Sequence, residues 1–472
     1  MTKDKTHVYD IAILGSGPGG ERAAMQAAKL GKRVVLIEKE SRVGGSSLHT
    51  GTIPSKSLRE TVVNLSRMRK RETMGGMHVE MRRDITVEEL MFRKSRVIQE
   101  QEMTVKNNFY KNRVELITGI PTFKSPTQIS ISTPDDQDDI LVEADFSVIA
   151  TGSRPHRPAW FPEGAERCVY DSDSVLQVER LPHKITIIGS GVIGCEYACI
   201  FSRMGIRVNL VSRDRVIMSF LDREISENLM YRMRHSRVIL RLGEDVKDIQ
   251  KVDEEHVKVV LASGKSLSSG AVLVAAGRDS NVEDLGLSEI GIEQGKRGLI
   301  SVNETYQTSV ENIYAVGDVI GFPGLASTAV IQARIAVLHA FQDLQNERMP
   351  TSLPFGIWTI PAIAMVGATE ENLTDQQMAY EVGVSHFKEV ARAHIMGGEY
   401  GILKLIFDPE TLKLLGVHII GPHAAELIHL GQSVMYFGGD IKYFMNAVFN
   451  YPTLDEAYRI AAFNGMNRLG VM

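Results

Sequence analysis

Three cysteines in 472 residues, Cys168, Cys195 and Cys199, are too few to staple a fold with disulfides. No Cys-x2-Cys pair and no His-x3-His spacing accompanies them, so no metal site is expected. Long apolar runs are missing too, since none approaches the ~20 residues that span a bilayer. The stretch Met1 to Asp10 is polar and charged and lacks the apolar centre of a secretory leader. These absences predict a cytoplasmic protein that does not engage membranes. Clustered positive charge is also absent: 53 basic residues stand against 58 acidic ones, for a net charge of -5. Nucleic-acid binding needs such clusters to neutralise phosphates, so no nucleic-acid partner is expected. The short basic stretch Arg67 to Arg71 reads as a solvated helix face, and the acidic run Asp135 to Asp139 as a solvated hairpin tip. What remains is an ordinary globular composition, 43% hydrophobic and 24% charged, long enough for roughly three domains.

Against these absences stands one construction made twice. A short apolar run, Ile11 to Leu14, leads into Gly15-Ser16-Gly17-Pro18-Gly19-Gly20, then an Ala-rich helical pattern stopped by Gly31, then the apolar run Val34 to Ile37 ending in Glu38. The first glycine permits a tight turn, the second lets the backbone approach a pyrophosphate, and the third allows close helix packing. Helix N-terminal amides would hold the phosphates while Glu38 accepts from a ribose hydroxyl. The second copy runs from Ile185 to Ile188 into Gly189-Ser190-Gly191-Val192-Ile193-Gly194, then a helix stopped at Gly205, then Val208 to Val211. Both helix stops fall 16 residues after the first glycine and both strand-end positions fall 23 after it. Two copies in equal register predict two dinucleotide-binding units. At the strand end the second copy has Ser212 in place of Glu38, followed by Arg213 and Arg215. A carboxylate there repels a 2'-phosphate, whereas serine beside guanidinium groups accommodates one, so the second unit is expected to tolerate NADP.

Further along, the chain carries Gly44-Gly45, Gly51-Thr52-Ile53-Pro54-Ser55-Lys56, Ala150-Thr151-Gly152, Gly194-Cys195-Glu196, Ala276-Gly277-Arg278 and Ile313 to Gly317-Asp318. With the two glycine-rich units, these motifs resemble the class I pyridine nucleotide-disulfide oxidoreductases, the family of dihydrolipoamide dehydrogenase and glutathione reductase, from about residue 8 to the C-terminus. The resemblance implies two Rossmann-like α/β domains, for FAD and NAD(P), and an α+β dimerisation domain. The expected partition is 1–151 and 278–350 for FAD, 152–277 for NAD(P), and 351–472 for dimerisation. It further implies FAD contacts along Gly15 to Gly20, at Glu38 and Lys39, and along Gly44, Gly45, Ser46, Gly51, Thr52 and Lys56. Thr151, Gly152, Gly317, Asp318, Leu325 and Ala326 complete that set. NAD(P) contacts are implied at Gly189, Gly191 to Gly194, Glu196, Ser212, Arg213, Arg215, Gly277 and Arg278. Lys56 and Glu196 are expected to pair beside the flavin, and a homodimer or higher homo-oligomer is expected.

The departures from the family pattern are chemical. The positions of its two redox-active cysteines hold Ser47 and Thr52, neither of which forms a thiolate or a disulfide. The C-terminal His-Pro-Thr-x-x-Glu motif reads Tyr451-Pro452-Thr453-Leu454-Asp455-Glu456, with tyrosine for the histidine base. The two losses agree, because without a disulfide there is no leaving thiol to protonate. Within the family the remaining pattern most resembles members that exchange hydride between NADPH and NAD+. Those members keep a cysteine at the position of Ser47, so this chain departs one step further. The resemblance implies FAD-dependent, ping-pong hydride exchange between nicotinamide nucleotides, with Lys56, Glu196, Tyr451 and Glu456 as catalytic candidates. A quinone or dye reductase, or a flavin-binding redox sensor without turnover, stands as the alternative. Cys195 and Cys199, four apart on the second helix, are expected to be small core residues, and His418, His423 and His429 ordinary packed or surface side chains.

Overall fold

A computed structural model of the chain describes residues 7–71, 86–133, 139–162, 167–253, 255–342, 347–398 and 400–470. The acidic run expected as a hairpin tip lies outside the described residues except for Asp139. So do the side chains of residues 69–71 in the expected basic helix face.

The first sheet places His7–Leu14 between the parallel strands Val34–Glu38 and Ile140–Ile149, with Glu115–Thr118 outside Val34–Glu38. Ile313–Ala315 joins Ile140–Ile149 in parallel, and the hairpin strands Ile120–Ser125 and Gln128–Ser132 extend the far side. Strands covered on both faces read as unbroken apolar runs, and Val34–Glu38 is buried at every position. Helix Pro18–Lys29 packs on this sheet through Ala23, Ala24 and Ala27, whose small side chains let the helix approach closely.

The second sheet repeats the arrangement with five parallel strands in the order Val238–Leu242, Arg207–Ser212, Lys184–Ile188, Ala271–Val274 and Val169–Asp171. Helix Val192–Arg203 leads from its central strand, and a three-stranded antiparallel sheet from Val246 to Ser269 flanks it. Where the chain leaves the first sheet and returns, Ser153–Pro155 pairs antiparallel with Arg278–Ser280. The C-terminal part is a five-stranded antiparallel sheet running Phe355–Ile357, Ile363–Gly367, Leu414–Ile420, Ile402–Phe407 and Glu381–His386. Helices Ala424–Tyr436 and Glu456–Leu469 bury Leu427, Ile428, Tyr458 and Ala461 in its core. Among the described residues, no helix is long and apolar enough to cross a membrane.

Both glycine-rich turns thus sit at the C-terminal ends of parallel strands, the edge of an open α/β sheet where ligands bind. Between them runs helix Thr52–Arg71, which carries Lys56 toward the second unit.

Candidate active site between the two glycine-rich turns

The two turns solve one backbone problem identically. Gly15 has φ +101° and Gly189 +109°, and a Cβ on either would run into the carbonyl of Ala150 or of Ala275 on the neighbouring strand. A Cβ on Gly20 or Gly194 would strike the carbonyl oxygen of Gly15 or Gly189. The middle glycines, Gly17 and Gly191, face nothing within 4 Å, so the space a Cβ would fill is open to a ligand. Each is also the N-cap of its helix without a side-chain cap, leaving the first-turn N–H groups free for a phosphate. The residues present therefore fit a dinucleotide at both places.

Around the first turn, buried Glu38 accepts from Ser16 N–H at 2.9 Å, Ser16 Oγ at 2.6 Å and Glu40 N–H at 3.1 Å. Ser16 Oγ in turn accepts from Gly44 N–H at 2.9 Å, tying Gly44 and Gly45 to the turn. Lys39 is exposed beside it. Ser46 and Ser47 lie in the short helix Gly45–His49, and Thr52 opens the next helix after Gly51. Thr151 Oγ1 donates to Asn281 O at 2.7 Å, fixing the Thr151-Gly152 bend. Gly317 N–H donates to buried Gln332 at 2.7 Å, and Asp318 accepts from Ser153 Oγ at 2.6 Å. Leu325 and Ala326 lead into helix Ala326–Gln342. Arg278, expected as a nucleotide contact, bonds Ser153 Oγ and O at 2.7 Å each and approaches Asp318 at 3.9 Å. It holds the Asp318 carboxylate through Ser153. Gly277 is exposed at φ +112°.

Around the second turn, Ser190 Oγ donates to Ser212 Oγ at 2.8 Å, and both are buried. Arg213 and Arg215 are exposed immediately beyond. Val192 and Ile193 open the helix that carries Glu196.

Lys56 and Glu196, 140 residues apart, meet at 2.6 Å. Glu196 is only 5% exposed and its other oxygen accepts from Trp358 N–H at 2.8 Å. The Lys56 ammonium also sits 5.0 Å from the centre of the Trp358 ring, within cation–π range. The buried carboxylate is thus paired and hydrogen-bonded, which a charge removed from water requires. The C-terminal part of the chain thereby contributes to the site, a role the sequence reading did not assign to Trp358. A tryptophan directly before Thr359-Ile360-Pro361, one of two in the chain, was the available signal.

Tyr451 is exposed, and Glu456 begins the helix Glu456–Leu469. Within the chain neither is brought to Lys56 or Glu196; between them, Pro452 to Asp455 line a cavity of about 470 Å3 with His423 and Glu426. Phe437 and Val448 of the same part are also largely exposed, apolar side chains of the kind found at interaction surfaces.

All three cysteines are buried and none is in a disulfide. Burial pushes the Cys199 thiol up to about 11 and Cys195 well above its ordinary value. His418 is buried with Nε2 at 2.8 Å from Ala368 O, and burial lowers its pKa. Among the described residues one group of three carboxylates is close enough to share a metal ion, Asp222, Glu224 and Glu370. It encloses the fully buried Lys404 ammonium, 2.9 Å from Asp222 and 3.1 Å from Glu224 and also bonded to Glu370. Lys404 is the one charge in the apolar strand Ile402–Phe407, a signal the sequence reading passed over.

Residues 9–333 match the family described as "Pyridine nucleotide-disulphide oxidoreductase", and residues 353–462 match its dimerisation domain. The chain is 43% identical over 461 residues to a protein named soluble pyridine nucleotide transhydrogenase from Mycobacterium bovis, covering 98% of each chain. It is 44% identical to the protein of that name from Marinomonas sp., covering 98% of this chain and 99% of that one. Among solved structures, the Cu(II) complex of the HOCl-induced flavoprotein disulfide reductase RclA from Escherichia coli superposes with a TM-score of 0.87 at 24% identity, over 97% of this chain and 99% of that one. LpdA from Mycobacterium tuberculosis gives a TM-score of 0.88 at 23% identity, with the same coverage. Both show the shared fold. The chain belongs to the pyridine nucleotide-disulphide oxidoreductase family and is a flavoprotein oxidoreductase that takes FAD as cofactor and NAD(P) as substrate.

Proposed function

We propose that the protein transfers hydride from NADPH to NAD+, giving NADP+ and NADH, with the first nucleotide leaving before the second enters. The observation that carries this reading is an intact Lys56–Glu196–Trp358 arrangement in a chain whose positions 47 and 52 are hydroxyl residues. FAD, when bound, supplies a ring that accepts a hydride and returns it.

The chain's own groups bind, orient and compensate charge. The Gly15 to Gly20 turn and Glu38 hold the adenosine half of FAD, and Asp318, held by Ser153 and Arg278, takes the hydroxyls of its linker. Lys56 supplies the positive charge that offsets charge arriving with the hydride, and Glu196 keeps that ammonium in position. The Gly189 to Gly194 turn holds the nicotinamide nucleotide. Ser212 leaves room for a 2'-phosphate, which Arg213 and Arg215 neutralise, while unphosphorylated NAD+ needs neither arginine. The two nicotinamide couples have nearly equal potentials, so orientation rather than an added driving force does most of the work. No thiol competes for the electrons, because all three cysteines are buried in apolar cores.

The sheet memberships support a partition into residues 1–151 with 278–350 for FAD, 152–277 for NAD(P) and 351–472 for dimerisation. In the homodimer, Tyr451 and Glu456 are proposed to reach the partner's flavin, and the cytoplasm is the proposed compartment. The names of the relatives at 43–44% identity support the exchange reaction. Anaerobic stopped-flow tests it: the flavin is reduced with NADPH and mixed with NAD+. Rapid reoxidation is expected; a reduced flavin that responds only to a quinone would replace this reading with a quinone reductase.

A further inference from the structure

Away from the two turns, three separate parts of the chain close a cavity of about 70 Å3, lined by four arginines, Arg59, Arg67, Arg203 and Arg232, with Pro361 and Tyr400 among its other walls. No carboxylate belongs to that lining. Arg59 projects from helix Thr52–Arg71, Arg203 ends helix Val192–Arg203, and Arg232 lies on helix Arg223–His235. Arg59 spends its Nε and Nη2 donors on Thr359 O at 3.2 and 3.1 Å, and its nearest acid, the half-exposed Glu60, is 3.8 Å away. Arg232 lies 4.6 Å from the centre of the Tyr400 ring, a contact that leaves its in-plane donors uncommitted. Arg203 Nε is buried without a hydrogen-bond partner.

The guanidinium groups of Arg59, Arg203 and Arg232, gathered at one small cavity, repel one another unless an anion joins them, and a buried guanidinium nitrogen without a partner is costly enough to need an explanation. We propose that this cavity is a binding site for a compact tetrahedral oxyanion, inorganic phosphate or sulfate. The planar, forked donors of arginine match two oxygens of such an ion at once. A cavity of this size has room for a small ion. The site adjoins the catalytic centre: the carbonyl that Arg59 holds belongs to Thr359, next to Trp358, whose N–H bonds Glu196.

The test is calorimetric titration of the holoenzyme with inorganic phosphate at constant ionic strength. Saturating NADP+ is present so that both glycine-rich turns are filled. One phosphate per chain is expected, with R203Q and R232Q each raising its dissociation constant about tenfold or more and R180Q, at an exposed arginine paired with Glu255, leaving it unchanged. Should either glutamine variant fail to fold, R203K keeps the charge without the fork and is expected to weaken phosphate as well. Selenate, located by anomalous scattering in crystals of the unaltered protein, should lie among the four guanidinium groups. The proposal is overturned if chloride reproduces the phosphate signal, if R203Q and R232Q bind as the unaltered protein does, if glycerol 2-phosphate binds more tightly than phosphate, or if selenate lies elsewhere.

Discussion

At the strand end of the first glycine-rich unit the Glu38 carboxylate takes both the N–H and the hydroxyl of Ser16. In the second unit the Ser212 hydroxyl takes the hydroxyl of Ser190 at the matching position. The first and last glycines of the two units answer the same demand, because backbone carbonyls at the same places forbid a Cβ at each. The strand-end residue is under no such backbone constraint and differs between the units. On the proposed function, fold and ligand choice are thus written in different residues of the same motif.

The glycines should break that comparison most severely. Gly20→Ala and Gly194→Ala each push a methyl into a carbonyl and are expected to destabilise the protein by about 1–3 kcal/mol. Gly17→Ala and Gly191→Ala, with open space at the Cβ, should change stability by less than about 1 kcal/mol and weaken the nucleotide instead. Urea midpoints of the cofactor-free protein decide; equal losses at all four positions would remove backbone crowding from the account. Next in size, Glu38→Gln removes the charge from three hydrogen bonds and should cost FAD affinity about 1.5–3 kcal/mol, read as flavin lost on dialysis. Ser212→Glu brings the first unit's charge into the second and should raise KM for NADPH about tenfold or more while sparing NADH. An equal effect on both would exclude Arg213 and Arg215 from specificity.

The smallest effect concerns the second helix alone. Burial favours the protonated form of Cys199, raising its pKa to about 11 from the ~8.5 of an unfolded thiol. The stability this contributes is complete below pH ~8.5 and is lost as pH rises through about 11. Cys199→Ala should flatten the alkaline decline of the urea midpoint, and a thiol reagent at pH 8 should label no cysteine in the folded protein.

Both turns were legible in the sequence because each glycine answers a local backbone demand and the helix stops repeat in register. Helix Pro18–Lys29 ends at Leu30 and helix Val192–Arg203 at Met204, each followed by a glycine with positive φ, Gly31 and Gly205. The Lys56–Glu196 pair was legible only through family resemblance, since no periodicity links residues 140 apart. Trp358 was not legible: it acts through its backbone N–H and the face of its ring, which only the packing of the C-terminal sheet against the second helix brings to Glu196. The bonds of Arg278 to Ser153 were not legible either, because they join strands more than a hundred residues apart in the chain. Lys404 escaped because its three carboxylates come from distant stretches of chain.

The central claim is that the flavin exchanges hydride with nicotinamide nucleotides and shares electrons with no disulfide. Anaerobic titration of the holoenzyme with dithionite counts those electrons directly. The expected result is complete reduction after one two-electron equivalent per flavin, with no thiolate-to-flavin charge-transfer band. Uptake of a second two-electron equivalent, or the appearance of that band, would contradict the account.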